Sequence, residues 1–119
     1  MTTNDSAHLG FENVSNQRAQ ELMKDPSISI VDVRDQEKFQ EATLAGATLI
    51  PLNDILLDPE GNLPNGDVMF ICNVGRSSGV ASQMAAAVGK GNKIYNLANG
   101  MTGWIDDGLA FEGSLADSV

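Results

Sequence analysis

Short apolar runs alternate along the chain with segments whose apolar residues recur at helical spacing. Ile28 to Val33 is a compact run rich in β-branched residues, and it predicts a strand buried on both faces. Val68 to Ile71 repeats that pattern. Ala47 to Ile50 supplies a brief strand stopped by Pro51, and Lys93 to Leu97 supplies a last one. Between the strands, Val14 to Lys24 reads as a short helix with Ser15 as its cap, Ala19, Leu22 and Met23 on one face, and Pro26 beyond its end. Asp35 can cap a second helix through Glu41, and Leu52 to Leu57 spans one or two helical turns. Val80, Ala81, Met84, Ala85 and Val88 share one face of a helix that must start near Arg76. Asn99-Gly100 marks a turn, and Met101 to Asp107 a final short helix.

Strands alternating with helices predict an α/β fold: a mainly parallel central sheet with helices on both faces. Asp58 to Asp67, with two prolines, two glycines and two asparagines, reads as a surface loop within one domain. There is no internal repeat. A length of 119 residues fits one core, expected over 11–109, with a flexible N-terminus over 1–10 and a C-terminal tail over 110–119. Within that tail, Glu112 to Val119 is small, polar and acidic and is expected to fray. A chain of this size buries roughly two thirds of its unfolded surface and needs no cross-link to hold together.

Charge narrows the function classes. Seven Lys plus Arg against sixteen Asp plus Glu give a formal charge of −9, which repels nucleic acid backbones. Direct DNA or RNA binding is not expected. An anionic substrate would need a local positive site. The N-terminus has no basic patch followed by an apolar stretch, and no apolar run approaches the roughly 20 residues of a membrane helix. With Cys72 the one cysteine, neither an internal disulfide nor a multi-cysteine zinc site can form, and the expectation is a cytoplasmic protein with no metal, cofactor or membrane partner.

The chemistry converges on Cys72. Val68 to Ser78, V-M-F-I-C-N-V-G-R-S-S, reads as strand, tight loop and helix start in succession. In parallel sheets, ligands bind where loops leave the carboxyl ends of strands for helix N-termini. There the free N–H groups of Asn73 to Ser77 and the helix dipole can hold a negatively charged sulfur. Gly75 lets the backbone turn closely around an anion, and Arg76 places a permanent cation beside it. A free cysteine at a strand end is ordinarily a small buried hydrophobe. Such a residue has no use for a glycine, an arginine and two hydroxyls at the mouth of a helix.

From about Phe11 to about Leu109 the sequence resembles the rhodanese domain family. Asp32-Val33-Arg34 matches the family's D-V-R at a strand end, and Glu37-Lys38-Phe39 its E-x-F helix. Cys72 to Ser78 matches C-x-x-G-x-S-S, and Asn99 to Trp104 stands where the family has G-G-x-x-x-W. The family's G-H-I-x-G-A appears as Ala42 to Ala47, with Thr43 in place of the histidine. Many members carry arginine five positions after the cysteine, where this chain has Ser77. The arginine here stands one position earlier, at Arg76, and the sequence leaves its direction open.

The resemblance implies sulfur transfer in two halves. Cys72 takes sulfur from a small anionic donor such as thiosulfate, becomes a persulfide, and passes the sulfur to cyanide, a thiol or a protein acceptor. It casts Cys72 as nucleophile and Asn73, Val74, Gly75, Arg76 and Ser77 as the substrate cradle, with Ser78 in support; Asp32 and Arg34, able to form a charged pair or to hydrogen-bond the loop backbones, read as supporting residues. Two rivals stand beside it. A cysteine-loop phosphatase or arsenate reductase needs arginine six positions after the cysteine, where this chain has Ser78. A non-enzymatic sulfur carrier or partner-binding module would share the fold.

The remaining notable residues read as ordinary. His8, the one histidine, lies in the polar N-terminus. Trp104 is a core anchor. Gly89-Lys90-Gly91 lacks the spacing and hydroxyl of a phosphate loop. Asn13-Val14-Ser15 matches a glycosylation acceptor, which matters only in a secreted protein.

Overall fold

In the computed structural model, which describes residues 10–89 and 93–117, five strands form one sheet. They are β1 (Glu12–Val14), β2 (Ser29–Asp32), β3 (Thr48–Leu49), β4 (Val68–Ile71) and β5 (Ile94–Leu97). Their order is β1-β5-β4-β2-β3, and every pairing is parallel. Seven helices accompany them: α1 (Asn16–Leu22), α2 (Gln36–Glu41), α3 (Leu52–Leu57), α4 (Pro59–Asn62), α5 (Arg76–Ala87), α6 (Gly100–Asp106) and α7 (Ser114–Asp117). The expected α/β architecture is present.

Alternation along the central strands sorts the core onto the two faces of the sheet, because successive side chains of a strand point to opposite sides. Met69, Ile71 and Leu97 pack on one side with Ala19 and Leu22 of α1 and Met101 and Trp104 of α6. Val68, Phe70 and Ile94 pack on the other with Ile55 of α3 and Ala81 and Ala85 of α5. Helices therefore cover both faces. β4 leads into α5 on one side, and its neighbour β5 leads into α6 on the opposite side. The carboxyl ends of these two strands thus form a switch point, the place where an open α/β sheet leaves a crevice.

Local signals explain the boundaries. The Ser15 hydroxyl accepts from Arg18 N–H at 3.1 Å and starts α1; the Asp35 carboxylate accepts from Lys38 N–H at 2.8 Å and starts α2. Three differences from the sequence expectation stand out. Glu12–Val14 is an edge strand and not part of the first helix; it pairs Asn13 with Asn96 and Val14 with Leu97. The 58–67 stretch contains α4, whose first turn is capped by Asp58 accepting from Gly61 N–H at 3.1 Å, with Pro59 at its first position. Glu112 is held by the body of the fold: it exchanges two backbone hydrogen bonds with Thr43, at 2.8 and 2.9 Å. His8, Lys90 and Gly91 lie outside the described residues. Trp104 is buried and donates its indole N–H to the carbonyl of Ala110 at 2.8 Å. No helix among the described residues is long and apolar enough to cross a membrane.

Ile71 sits at the end of the central strand with no exposure, two residues from the loop that begins at Asn73. Ile71→Ala should cost about 2–5 kcal/mol, read as a lower urea midpoint in equilibrium unfolding.

Candidate functional site

Cys72 follows directly on β4, and its side chain lies on the α5 side of the sheet, beside Val33, Phe70 and Ala81. Only 3% of the residue is exposed. The sulfur is nevertheless met by donors. Gly75 N–H donates to Sγ at 3.2 Å and Ser78 N–H at 3.3 Å, while the Ser78 hydroxyl lies 3.1 Å away. The N–H groups of Asn73, Val74, Arg76 and Ser77 make no hydrogen bond to a described residue. Two of the loop's amides therefore converge on one sulfur, and four more around it are open to a further acceptor. Such a nest of donors favours negative charge at its centre.

The loop is held in that shape by the two segments it touches. Gly75 has φ +90°, and a Cβ there would collide with the carbonyl oxygen of Ala98, in the turn after β5. Gly100, with φ +63°, lies so close to the carbonyl oxygen of Asn73 that it too leaves no room for a side chain. Only glycine combines that conformation with that closeness. The first N–H groups of α6 complete the contact: Met101 donates to the carbonyl of Cys72 at 2.8 Å, and Thr102 to that of Asn73 at 3.0 Å. The start of α5 faces the sulfur, and the start of α6 fixes the backbone that carries it.

A second network reaches the loop from β2. Asp32 has no exposure, and its carboxylate accepts from Arg34 Nε at 3.0 Å and Nη2 at 2.7 Å, the paired geometry for which a guanidinium is shaped. It also accepts from the Thr43 hydroxyl at 2.8 Å. Arg34 Nη2 additionally donates to the carbonyl of Ala42, and Nη1 to Asn73 Oδ1 at 3.0 Å. Thr43, standing where the resembling family has histidine, thus serves the buried carboxylate. Asn73 is turned toward Arg34.

The residues singled out from sequence separate into groups. Cys72, Gly75 and Ser78 form the donor-lined centre. Asp32 and Arg34 touch the loop through Asn73. Val74, Arg76 and Ser77 are exposed at its rim, Val74 to 57%. Arg76 pairs with no described residue, so its guanidinium is available beside the loop. Asn96, which no motif marks, is buried beneath the loop and donates to the carbonyl of Gly75 at 3.1 Å. Its signal was a polar residue inside the apolar strand Ile94–Leu97.

Residues 15–107 match the rhodanese-like domain family. Among relatives by sequence, YrkF of Bacillus subtilis, whose name marks it as a candidate sulfur carrier protein, is 31% identical over 85 residues. The match covers 71% of this chain and 45% of YrkF, so the chain spans about half the length of that relative. The thiosulfate sulfurtransferase GlpE of Tolumonas auensis is 27% identical over 94 residues, covering 79% of this chain and 88% of GlpE. The crystal structure of a rhodanese-related protein from Thermoplasma volcanium superimposes with a TM-score of 0.74, covering 86% of this chain and 98% of that one. At 19% identity that likeness speaks to the fold.

Thr43→Val keeps the shape of the side chain and removes one of the donors on the buried Asp32 carboxylate. It should cost about 1–3 kcal/mol, the usual penalty for a buried acceptor left short of a partner, measured by equilibrium unfolding.

Proposed function

The chain belongs to the rhodanese-like domain family, and we propose that within it the protein is a sulfurtransferase that moves sulfane sulfur through a persulfide on Cys72. The observation that carries this reading is the pair of amides, from Gly75 and Ser78, aimed at Sγ and bordered by four amides that have no partner among the described residues. A covalent intermediate divides one difficult transfer into two easier ones, and fixed N–H donors stabilise charge as it arrives.

The chemistry balances without a cofactor. The Cys72 thiolate attacks the outer sulfur of thiosulfate; the new S–S bond forms as the bond to the sulfonate sulfur breaks, and sulfite leaves with that electron pair. A thiophilic acceptor, such as cyanide or a thiol, then attacks the outer sulfur of the persulfide. The electron pair of the breaking bond returns to Sγ, regenerating the thiolate. Gly75 and Ser78 hold Sγ, and the free amides of Asn73, Val74, Arg76 and Ser77 are the donors open to the added sulfur. Arg76 steadies the anionic donor at the rim. A persulfide donor presents the same terminal sulfur and is accepted by the same steps.

The carrier reading has one support of its own, the resemblance to YrkF. It shares the persulfide and differs in the acceptor, a dedicated protein in place of a small thiophile. The phosphatase reading lacks the arginine it needs: the sixth position after the cysteine is Ser78, whose side chain is buried against Sγ.

Incubation with thiosulfate should add one sulfur by intact mass, and cyanide should remove it as thiocyanate. Cys72→Ser should take up none, and sulfur retained on that variant would overturn the proposal. Steady-state transfer to cyanide compared with transfer to protein acceptors separates enzyme from carrier. Arg76→Ala should raise KM for thiosulfate about two- to fivefold, the scale of an exposed charge pair, with the effect fading as salt is added.

A further inference from the structure

We infer that Asn96 is a positioning residue for sulfur transfer: from the sheet beneath the loop, it fixes the plane of the Gly75–Arg76 peptide and so the amides presented to sulfur. The inference rests on the reading of Cys72 as the reacting sulfur.

Asn96 lies on β5 between Tyr95 and Leu97, on the face covered by α5, and is 4% exposed. Its register partners are Phe70 on β4 and Asn13 on β1. Both hydrogens of its amide are committed: Nδ2 donates to Gly75 O at 3.1 Å and to Asn13 Oδ1 at 2.9 Å. Two acceptors on one atom fix which end of the amide points there, since only the NH2 group can serve both. The other end, Oδ1, is buried with no partner among the described residues. An apolar residue at this position would leave no unpaired atom, and the other residues of β5, Ile94, Tyr95 and Leu97, are hydrophobic. A buried polar group that breaks the local rule is the mark of a functional constraint.

The constraint follows from peptide geometry. Gly75 has φ +90°, and with no Cβ its flanking peptides turn easily unless held. The carbonyl of the Gly75–Arg76 peptide is gripped by Asn96 and by Gly79 N–H at 3.1 Å. A trans peptide is planar, so its N–H is directed opposite to its C=O. Drawing that carbonyl toward β5 turns the Arg76 N–H, one of the unpaired amides, the other way. The same grip anchors Gly75, whose own N–H meets Sγ at 3.2 Å.

Function and stability should separate in the variants. Asn96→Leu keeps the approximate shape and removes the unpaired oxygen; Gly75 O still has Gly79, and Asn13 is exposed to water. The unfolding midpoint should stay close to that of the parent. The rate constant for sulfur transfer from thiosulfate should fall roughly fivefold, the factor carried by one hydrogen bond of ordinary net strength. Asn96→Ser, smaller and polar, serves as a second variant that does not overfill the site.

The independent readout is the rate of Cys72 alkylation by iodoacetamide at one fixed pH, which needs no sulfur donor. No ionisable side chain among the described residues hydrogen-bonds Sγ; the charged groups on the segments around it are Arg76 and the Arg34–Asp32 pair behind Asn73. The Gly75 N–H is aimed at Sγ, so loosening the loop that carries it should change the alkylation rate by about twofold or more in both variants. Asn13→Ala, which leaves the Gly75 contact in place, should move neither readout. The inference is overturned if both Asn96 variants keep the parent's alkylation rate, or if transfer falls only in step with the unfolding midpoint. Should the parent itself fail to take sulfur from thiosulfate, the function proposed above fails, and the alkylation rates still decide the role of Asn96.

Discussion

The close approach of the two loops that leave β4 and β5 is the constraint on which the site depends. These strands are neighbours whose helices lie on opposite faces of the sheet, so their loops diverge from a common edge and touch only at its start. There Gly75 packs on the carbonyl of Ala98 and Gly100 on that of Asn73, each so close that no side chain fits between. The contact is between backbones, and its rigidity comes from planar peptides and from the helix starts behind them. Amides of α5 are left facing Cys72, while amides of α6 are occupied by the carbonyls of Cys72 and Asn73.

Burial and charge are reconciled in the same place. Cys72 is 3% exposed and packs among apolar neighbours, which by itself describes an inert core cysteine. The amides and hydroxyl arranged on it are what such a cysteine does not need. A comparable arrangement holds Asp32, an anion with no exposure on a protein already rich in anions. Its partner Arg34 reaches on to Asn73, so the loop and the buried pair are ordered together. A pair of this kind adds little net stability, because desolvation offsets attraction. Its worth here is geometric, since it fixes the rim of the site from the side of β2.

Much of this was legible in the sequence where the signal is local. The apolar runs gave β2 and β4 nearly to the residue, Ser15 and Asp35 marked their helix starts, and the glycine three residues after Cys72 marked a tight turn into α5. What could not be read depends on distant partners. Glu12–Val14 has no apolar run and becomes a strand only because β5 lies beside it. Arg34 and Asn73 stand 39 positions apart, and nothing in either neighbourhood announces the pairing. Asn96 and the Asp58-Pro59 helix start did leave traces, a polar residue in an apolar strand and an Asx followed by proline; each is weak until packing gives it a partner. Arg76 was left open by sequence and is exposed at the rim.

The short turn from β5 into α6 has a consequence for how the chain can vary. The connection from Leu97 to Met101 has no slack, since Ala98 and Gly100 are both consumed by the contact with the loop after β4. Insertion or deletion of a single residue there would turn the axis of α6 and withdraw the Met101 amide from the Cys72 carbonyl. Substitutions along the outer helices leave that contact in place, whereas the length of this one short connection is set by it.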